Sequence, residues 1–249
     1  MIALVTGASS GIGRDIALVL ADKGYDLILV SRRADKMEEI KNTVKTNCRT
    51  VSCDLSVAEN CIKLCKWLVT EDIDVVINCA GFGVFGKFEE TDLDKEISMI
   101  NTNITALHII AKFFVKKFVD EGKGYILNVA SVAAFAPGPT FSSYYASKAY
   151  VLRLTQAIRE EVRKTGVYIG ALCPGPVDTE FNEVAKVGFG FKGMSSQYVA
   201  RYAVDKMFKK KVVIIPGIKF KVLAALSKLV PDKISAKITA KFQKKKNNG

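Results

Sequence analysis

The feature that most constrains this chain is an alternation. Short runs of aliphatic and β-branched residues recur along it, and a segment with the 3.6-residue apolar period of a helix follows most of them. Residues 2–6 read as a buried strand and 11–23 as a helix ended by Gly24; 26–30 is the next strand and 34–46 a charged amphipathic helix. Strand 50–53, helix 57–69 and strand 73–78 continue the pattern, and a helical stretch over 92–120 carries a break near 101–103. Strand 125–130, helix 144–165, strand 167–173 and a short strand at 212–215 complete it. Strands joined by helices of this length imply right-handed crossovers and a parallel sheet. Val75-Val76-Ile77 is apolar on both faces, as a strand covered by helices on either side must be. The expectation is a doubly wound α/β fold, with one domain over 1–216 and a helical basic extension over 217–249.

Composition excludes several other classes. The chain has 249 residues, 49% of them hydrophobic, which suits a single ordinary core. Mean hydropathy is +0.17. No apolar run approaches the roughly 20 residues of a spanning helix, so multi-span membrane proteins are excluded along with disordered and fibrous ones. Cys48, Cys53, Cys61, Cys65, Cys79 and Cys173 form no C-x-x-C pair, and the lone His108 lies apart in sequence. Neither a metal site nor a disulfide framework is expected from that spacing. A strand starting at Ile2 leaves no space for a signal peptide, so a cytoplasmic protein with reduced thiols is expected. The net charge of +12 is uneven: residues 209–249 hold twelve Lys, no Arg and one acid, Asp232. Lys without Arg points away from nucleic acid and toward a solvated or membrane-surface face.

Thr6-Gly7-Ala8-Ser9-Ser10-Gly11-Ile12-Gly13 joins the first strand to the first helix. Glycines there allow a tight turn and let backbone amides approach a pyrophosphate at the helix N-terminus. Further motifs follow in order: Asn78-Cys79-Ala80-Gly81 after the fourth strand, Met99-Ile100-Asn101-Thr102-Asn103, Ser131 closing the fifth strand, Tyr144-Tyr145-Ala146-Ser147-Lys148, and Pro174-Gly175-Pro176-Val177-Asp178-Thr179. Six ordered motifs over about residues 2–215 resemble the short-chain dehydrogenase/reductase family. Cys79 stands where the family's N-N-A-G turn has its second Asn. The resemblance implies a Rossmann fold and carbonyl–alcohol chemistry with a nicotinamide cofactor. It puts the cofactor on Gly7, Ser9, Ser10, Gly11, Ile12 and Gly13, then on Ser31, Arg32, Arg33, Asp54 and Leu55. Asn78, Ala80 and Gly81 would hold its middle, and Pro174, Gly175, Val177 and Thr179 its nicotinamide end. Asp54 takes the place of the family's adenine-contacting acid, and Arg14 flanks the same pocket as Ser9.

Tyr144 and Lys148 stand four apart on a helix and so share a face. Free Tyr titrates near 10, and a neighbouring ammonium favours its phenolate, bringing it toward the working range. Ser131 ends a strand on the side where parallel sheets place ligands, and its hydroxyl can hold a substrate carbonyl against the Tyr. The resemblance adds that Lys148 binds the nicotinamide ribose and that Asn103 supports a proton-relay water. Tyr145 misses the four-residue spacing to Lys148. An NAD-selecting acid belongs near the end of the second strand, where this chain has Ser31-Arg32-Arg33. Two guanidiniums suit a 2′-phosphate, so NADP(H) is the expected cofactor.

His108 reads as a core or subunit-interface residue rather than a base, and Trp67 as packing its helix on the sheet. Phe82, Phe85, Phe135 and Phe141 flank the motifs and could line an apolar substrate pocket. Residues 180–194 could form a lid over it. The reading is an NADP(H)-dependent oxidoreductase acting on a small-molecule carbonyl or alcohol. Its rivals are a non-catalytic nucleotide-binding scaffold or sensor on the same fold, and a peripheral-membrane lipid or steroid reductase. A homodimer or homotetramer is expected through helices over 104–118 and 144–163, the first having Leu107, Ile110, Phe113, Phe114 and Phe118. In the tail, Ile234, Ile238 and Phe242 form a stripe, with Lys233, Lys237 and Lys241 one residue behind each. That pattern suits either an interfacial helix on an anionic membrane or a stripe packed on the body.

Overall fold

A computed structural model of the chain describes residues 1–185, 193–227 and 229–247, with side chains through residue 243. Six strands carry the fold: β1 (Ile2–Thr6), β2 (Asp26–Ser31), β3 (Cys48–Ser52), β4 (Ile73–Asn78), β5 (Tyr125–Val129) and β6 (Tyr168–Leu172). The pairs β7 (Val177–Asp178) and β8 (Met194–Ser195) form a small separate ladder, and β9 (Val213–Ile214) joins the edge of the main sheet. The main sheet runs β3-β2-β1-β4-β5-β6-β9, all parallel. Chain progression reverses between β1 and β4, and the crevice beyond their C-terminal ends is where such sheets bind ligands.

Strand alternation sends side chains to two cores. Ala3, Val5, Leu27, Leu29, Val75 and Ile77 meet α1 (Gly11–Asp22) and α8 (Ser196–Phe208) on one face. Leu4, Ile28, Val30, Val76 and Ile126 meet α3 (Ala58–Leu68) and α5 (Leu107–Glu121) on the other. The central strand residues from Ala3 to Val5 and from Val75 to Ile77 have no exposed surface, as the doubly apolar runs require. The remaining helices are α2 (Ala34–Lys41), α4 (Leu93–Ile100), α6 (Ser142–Glu161), the short α7 (Phe181–Val184), α9 (Ile218–Leu226) and α10 (Asp232–Asn247).

Several boundaries differ from the expectation. Helix α2 stops at Lys41, where Thr43 turns its hydroxyl back onto the Ile40 carbonyl. The expected break at 101–103 is a π-helical turn, Asn101–Ala106, that carries α4 into α5 without interruption. Helix α8 has no counterpart in the sequence reading: Val199, Ala200, Ala203, Val204 and Met207 form its buried face, and small residues weaken the apolar signal. Its start is marked by Ser195, whose hydroxyl accepts the Tyr198 amide. Trp67 is 41% exposed and lies under the Arg49 guanidinium instead of against the sheet. His108 is exposed too, with Nδ1 2.7 Å from the Tyr150 hydroxyl, which removes the core reading. On α5, Leu107, Ile110, Phe114 and Phe118 are all buried inside the chain, so that helix's apolar excess does not by itself mark a subunit face.

Candidate active site

The turn after β1 is shaped by close approach. A Cβ on Gly7 would stand 2.7 Å from the Ala80 backbone, and one on Gly13 would strike the Gly7 carbonyl. The two strand ends are thus pressed together, with Thr6 between them: its Oγ1 accepts the amides of Cys79 and Ala80 at 3.1 and 3.2 Å. Thr6 is a positioning residue that the motif reading passes over, because it lies at the strand's last position. The result leaves the backbone amides at the start of α1 facing a cleft of about 490 Å³. Cys79 lies in the floor of this cleft, and burial pushes its thiol up to about 12 despite the nearby Lys148.

Ser131, Tyr144 and Lys148 line the same cleft, brought there by the end of β5 and by one face of α6. All three are buried, and the Lys148 ammonium lies 5.7 Å from the Tyr144 ring centre while donating to the Val129 carbonyl at 2.9 Å. Burial raises the Tyr144 phenol well above its ordinary value, and the Ser131 hydroxyl beside it pulls the other way. Burial lowers Lys148 to about 8. Phe141 stacks on Tyr144 at 4.4 Å and Phe181 approaches it at 5.4 Å, so the phenol projects from an aromatic frame. Tyr145 also lines the cleft, and burial raises its phenol.

Two expected site residues lie behind the wall. Asn78 reaches across β4 and β5 to donate to Asn128 Oδ1 at 2.8 Å. Asn103 holds both the amide and the carbonyl of Phe82 and donates to Ser147 Oγ, which makes it the brace of the Gly81–Phe82 turn. The glycine at 81 admits that brace: a Cβ there would be 2.8 Å from Asn103 Oδ1. The other expected residues, from Gly7 to Thr179, all line the cleft. Phe82 and Phe141 line it as well, whereas Phe85 stands edge-on to Phe141 in a second layer and Phe135 packs beneath, against the cluster holding Ala134 and Leu152. Of the expected lid, Phe181 and Val184 line the cleft, while residues 186–192 lie outside the described part of the chain.

At the far end, Arg33 spans the loop. It donates to Ser9 Oγ at 3.2 and 3.0 Å and to Ser10 Oγ at 2.8 Å, and pairs with Glu180 at 2.7 Å, which lowers that carboxyl. Arg32 is exposed at the cleft margin, and no ion pair among the described residues engages its guanidinium. Asp54 lies close by, held below the usual carboxylate range chiefly by the Ser56 amide. Arg14 turns away to Asp15 at 2.9 Å.

Residues 1–187 match the model of the short chain dehydrogenase family. An uncharacterized oxidoreductase of Staphylococcus epidermidis is 33% identical over 189 residues, covering 75% of this chain and 82% of its own length. Among solved structures, a short-chain dehydrogenase from Sphingobium yanoikuyae in complex with NADPH superposes with a TM-score of 0.84 at 28% identity, over 91% of this chain and 93% of that one. A bulky-bulky ketone specific alcohol dehydrogenase from Comamonas testosteroni gives 0.79 at 28% identity, over 91% and 92%. With the glycine turn, the Ser–Tyr–Lys cleft and these matches in agreement, the chain belongs to the short-chain dehydrogenase/reductase family of oxidoreductases.

Proposed function

We propose that the protein is an NADP(H)-dependent oxidoreductase that interconverts a secondary alcohol and a ketone, or reduces an aldehyde. The observation that carries this is the convergence of Ser131, Tyr144 and Lys148 in one cleft with the glycine turn. A dinucleotide fits the residues present: the side-chain-free approach at Gly7 and Gly13 leaves amides for a pyrophosphate, and Arg32 offers an unshared donor fork for a 2′-phosphate. When bound, the cofactor supplies or accepts the hydride. Ser131 holds the carbonyl oxygen, and the Tyr144 hydroxyl delivers the proton to it in reduction and takes it back in oxidation. Lys148 steadies the ribose and biases Tyr144 toward phenolate when the alcohol must lose its proton. Asn103 serves the proton path indirectly, by fixing the Gly81–Phe82 turn behind Lys148.

Supporting the NADP(H) preference are the absence of an acid at the end of β2 and the relative solved with NADPH. In this reading residues 1–216 form the cofactor and substrate domain, since among the described residues the cleft is lined by none later than Val184, and 217–249 form an appendage. We also propose a homodimer or homotetramer through α5 and α6, where Tyr150 and His108 are exposed and bonded to each other. The deciding experiment is a panel of carbonyl substrates followed by NADPH and NADH absorbance. NADPH-dependent reduction is expected. Turnover with NADH alone would overturn the cofactor assignment, and binding of both nucleotides without any turnover would favour the sensor reading.

A further inference from the structure

The C-terminal helices present their apolar side outward. On α10 the residues turned to the body are Ser235, Ala236, Thr239, Ala240 and Gln243, whereas Ile234, Ile238 and Phe242 are 45 to 66% exposed. The polar side is anchored rather than merely adjacent. The Thr140 hydroxyl donates to Gln243 Oε1 at 2.7 Å, and Gln243 is 2% exposed. Helix α9 repeats the arrangement: Ala224 is buried and Phe220 packs against Gly175, while Ile218, Val222, Leu223 and Leu226 are 50 to 72% exposed. Leu229, between the helices, is 81% exposed. Single exposed apolar side chains are ordinary on a protein surface, but a run of them on two consecutive helices marks a contact surface.

Charge identifies what the surface meets. Lys219, Lys221, Lys233, Lys237 and Lys241 are exposed around these apolar residues, and Asp232 is the one acid between 217 and 249. No ion pair among the described residues engages any of them, although the Lys221 ammonium lies over the Tyr202 ring at 5.5 Å. A second copy laid on this face would bring Lys against Lys, which is electrostatically unfavourable. Among the described residues no helix is long and apolar enough to cross a membrane, so any lipid contact is peripheral. We propose that α9 and α10 form a docking face for an anionic lipid bilayer, with the apolar side chains entering the headgroup boundary and the Lys meeting lipid phosphates.

The test is flotation of the full chain with vesicles of phosphatidylcholine alone and of phosphatidylcholine with phosphatidylglycerol in roughly equal parts. Salt is set at about 50 and about 500 mM, so that Lys–lipid attraction is first felt and then screened. Binding to the anionic vesicles at low salt is expected to exceed that to phosphatidylcholine by about tenfold or more, and to fall at high salt. The double variant Ile238→Glu/Phe242→Glu should lose about tenfold or more of that binding, while Lys237→Gln/Lys241→Gln should lose several-fold. Both should melt close to the parent, because none of the four altered side chains is buried. Negligible flotation of the parent overturns the proposal. So does full retention of binding by Ile238→Glu/Phe242→Glu, which would reduce the effect to surface charge. Light scattering supplies a third outcome: a parent dimer that Ile238→Glu/Phe242→Glu converts to monomer would assign the stripe to a second copy of the chain instead.

Discussion

Helices α5 and α10 are close in length, 15 and 16 residues, and both repeat apolar residues at helical spacing, yet they turn opposite sides to the molecule. In α5 the stripe Leu107, Ile110, Phe114 and Phe118 faces the sheet, Lys112 and Lys116 face out, and Lys116 and Lys117 pair with Asp120 and Glu121. In α10 the stripe faces out, no ion pair among the described residues engages Lys233, Lys237 or Lys241, and Ser235 and Gln243 are its buried residues. Periodicity therefore tells where a helix is amphipathic and not which side is its interior. That second fact comes from what lies beneath: β4 and β5 offer α5 an apolar bed, whereas Thr140 offers α10 a hydroxyl group.

The sharpest way to set body against tail is to change the cleft. Tyr144→Phe removes the proton donor and should lower kcat by about 10²–10⁴-fold with NADPH binding retained, whereas Tyr145→Phe should be mild. Steady-state rates together with nucleotide fluorescence titration check both. Next comes Phe114→Ala, which empties a fully buried site and should cost about 3–5 kcal/mol in denaturant unfolding. Arg32→Ala should weaken NADPH by about 1.5–3 kcal/mol and NADH hardly at all. Arg33→Ala should discriminate less between them, since Arg33 already spends its donors on Ser9, Ser10 and Glu180. Equal losses for both nucleotides with Arg32→Ala would remove the phosphate-clamp assignment.

A smaller effect lies in pH. Lys148 has its affinity for the proton lowered by burial to about 8, so its ammonium is present below that pH and lost above it. Accordingly kcat/KM for NADPH should fall as pH rises through about 8. Lys148→Arg, which keeps its charge, should flatten that limb of the profile. The smallest effect belongs to the tail: Phe242→Ala, at a side chain 66% exposed, should change stability by no more than about 0.5 kcal/mol. A loss comparable to that of Phe114→Ala would mean that the stripe is covered in the folded chain.

Much of the body was legible because its rules are local. The glycine turn, the four-residue Tyr–Lys spacing and the doubly apolar strands each follow from residues close in sequence, and the cleft assembles them as expected. What escaped depends on partners distant in the chain. Asn103 looks like a cleft residue until Phe82 and Ser147 are seen to use up its amide. Trp67 has the helical spacing of a core residue, but it stands exposed beneath Arg49, which comes from β3. Gln243 is an ordinary polar residue in a basic tail, and only its bond to a threonine 103 positions away reveals that it is buried against the body.

The six cysteines carry a practical consequence. Burial raises every one of them, Cys48 and Cys61 to about 11 and Cys65, Cys79 and Cys173 to about 12, with Cys53 moved in the same direction. At neutral pH an alkylating reagent or mild oxidant thus meets protonated sulfur, although Cys79 lies in the cleft floor itself. Iodoacetamide should therefore react slowly with the native protein. A rise in labelling would report opening of the fold, which makes these silent thiols a built-in gauge of its integrity.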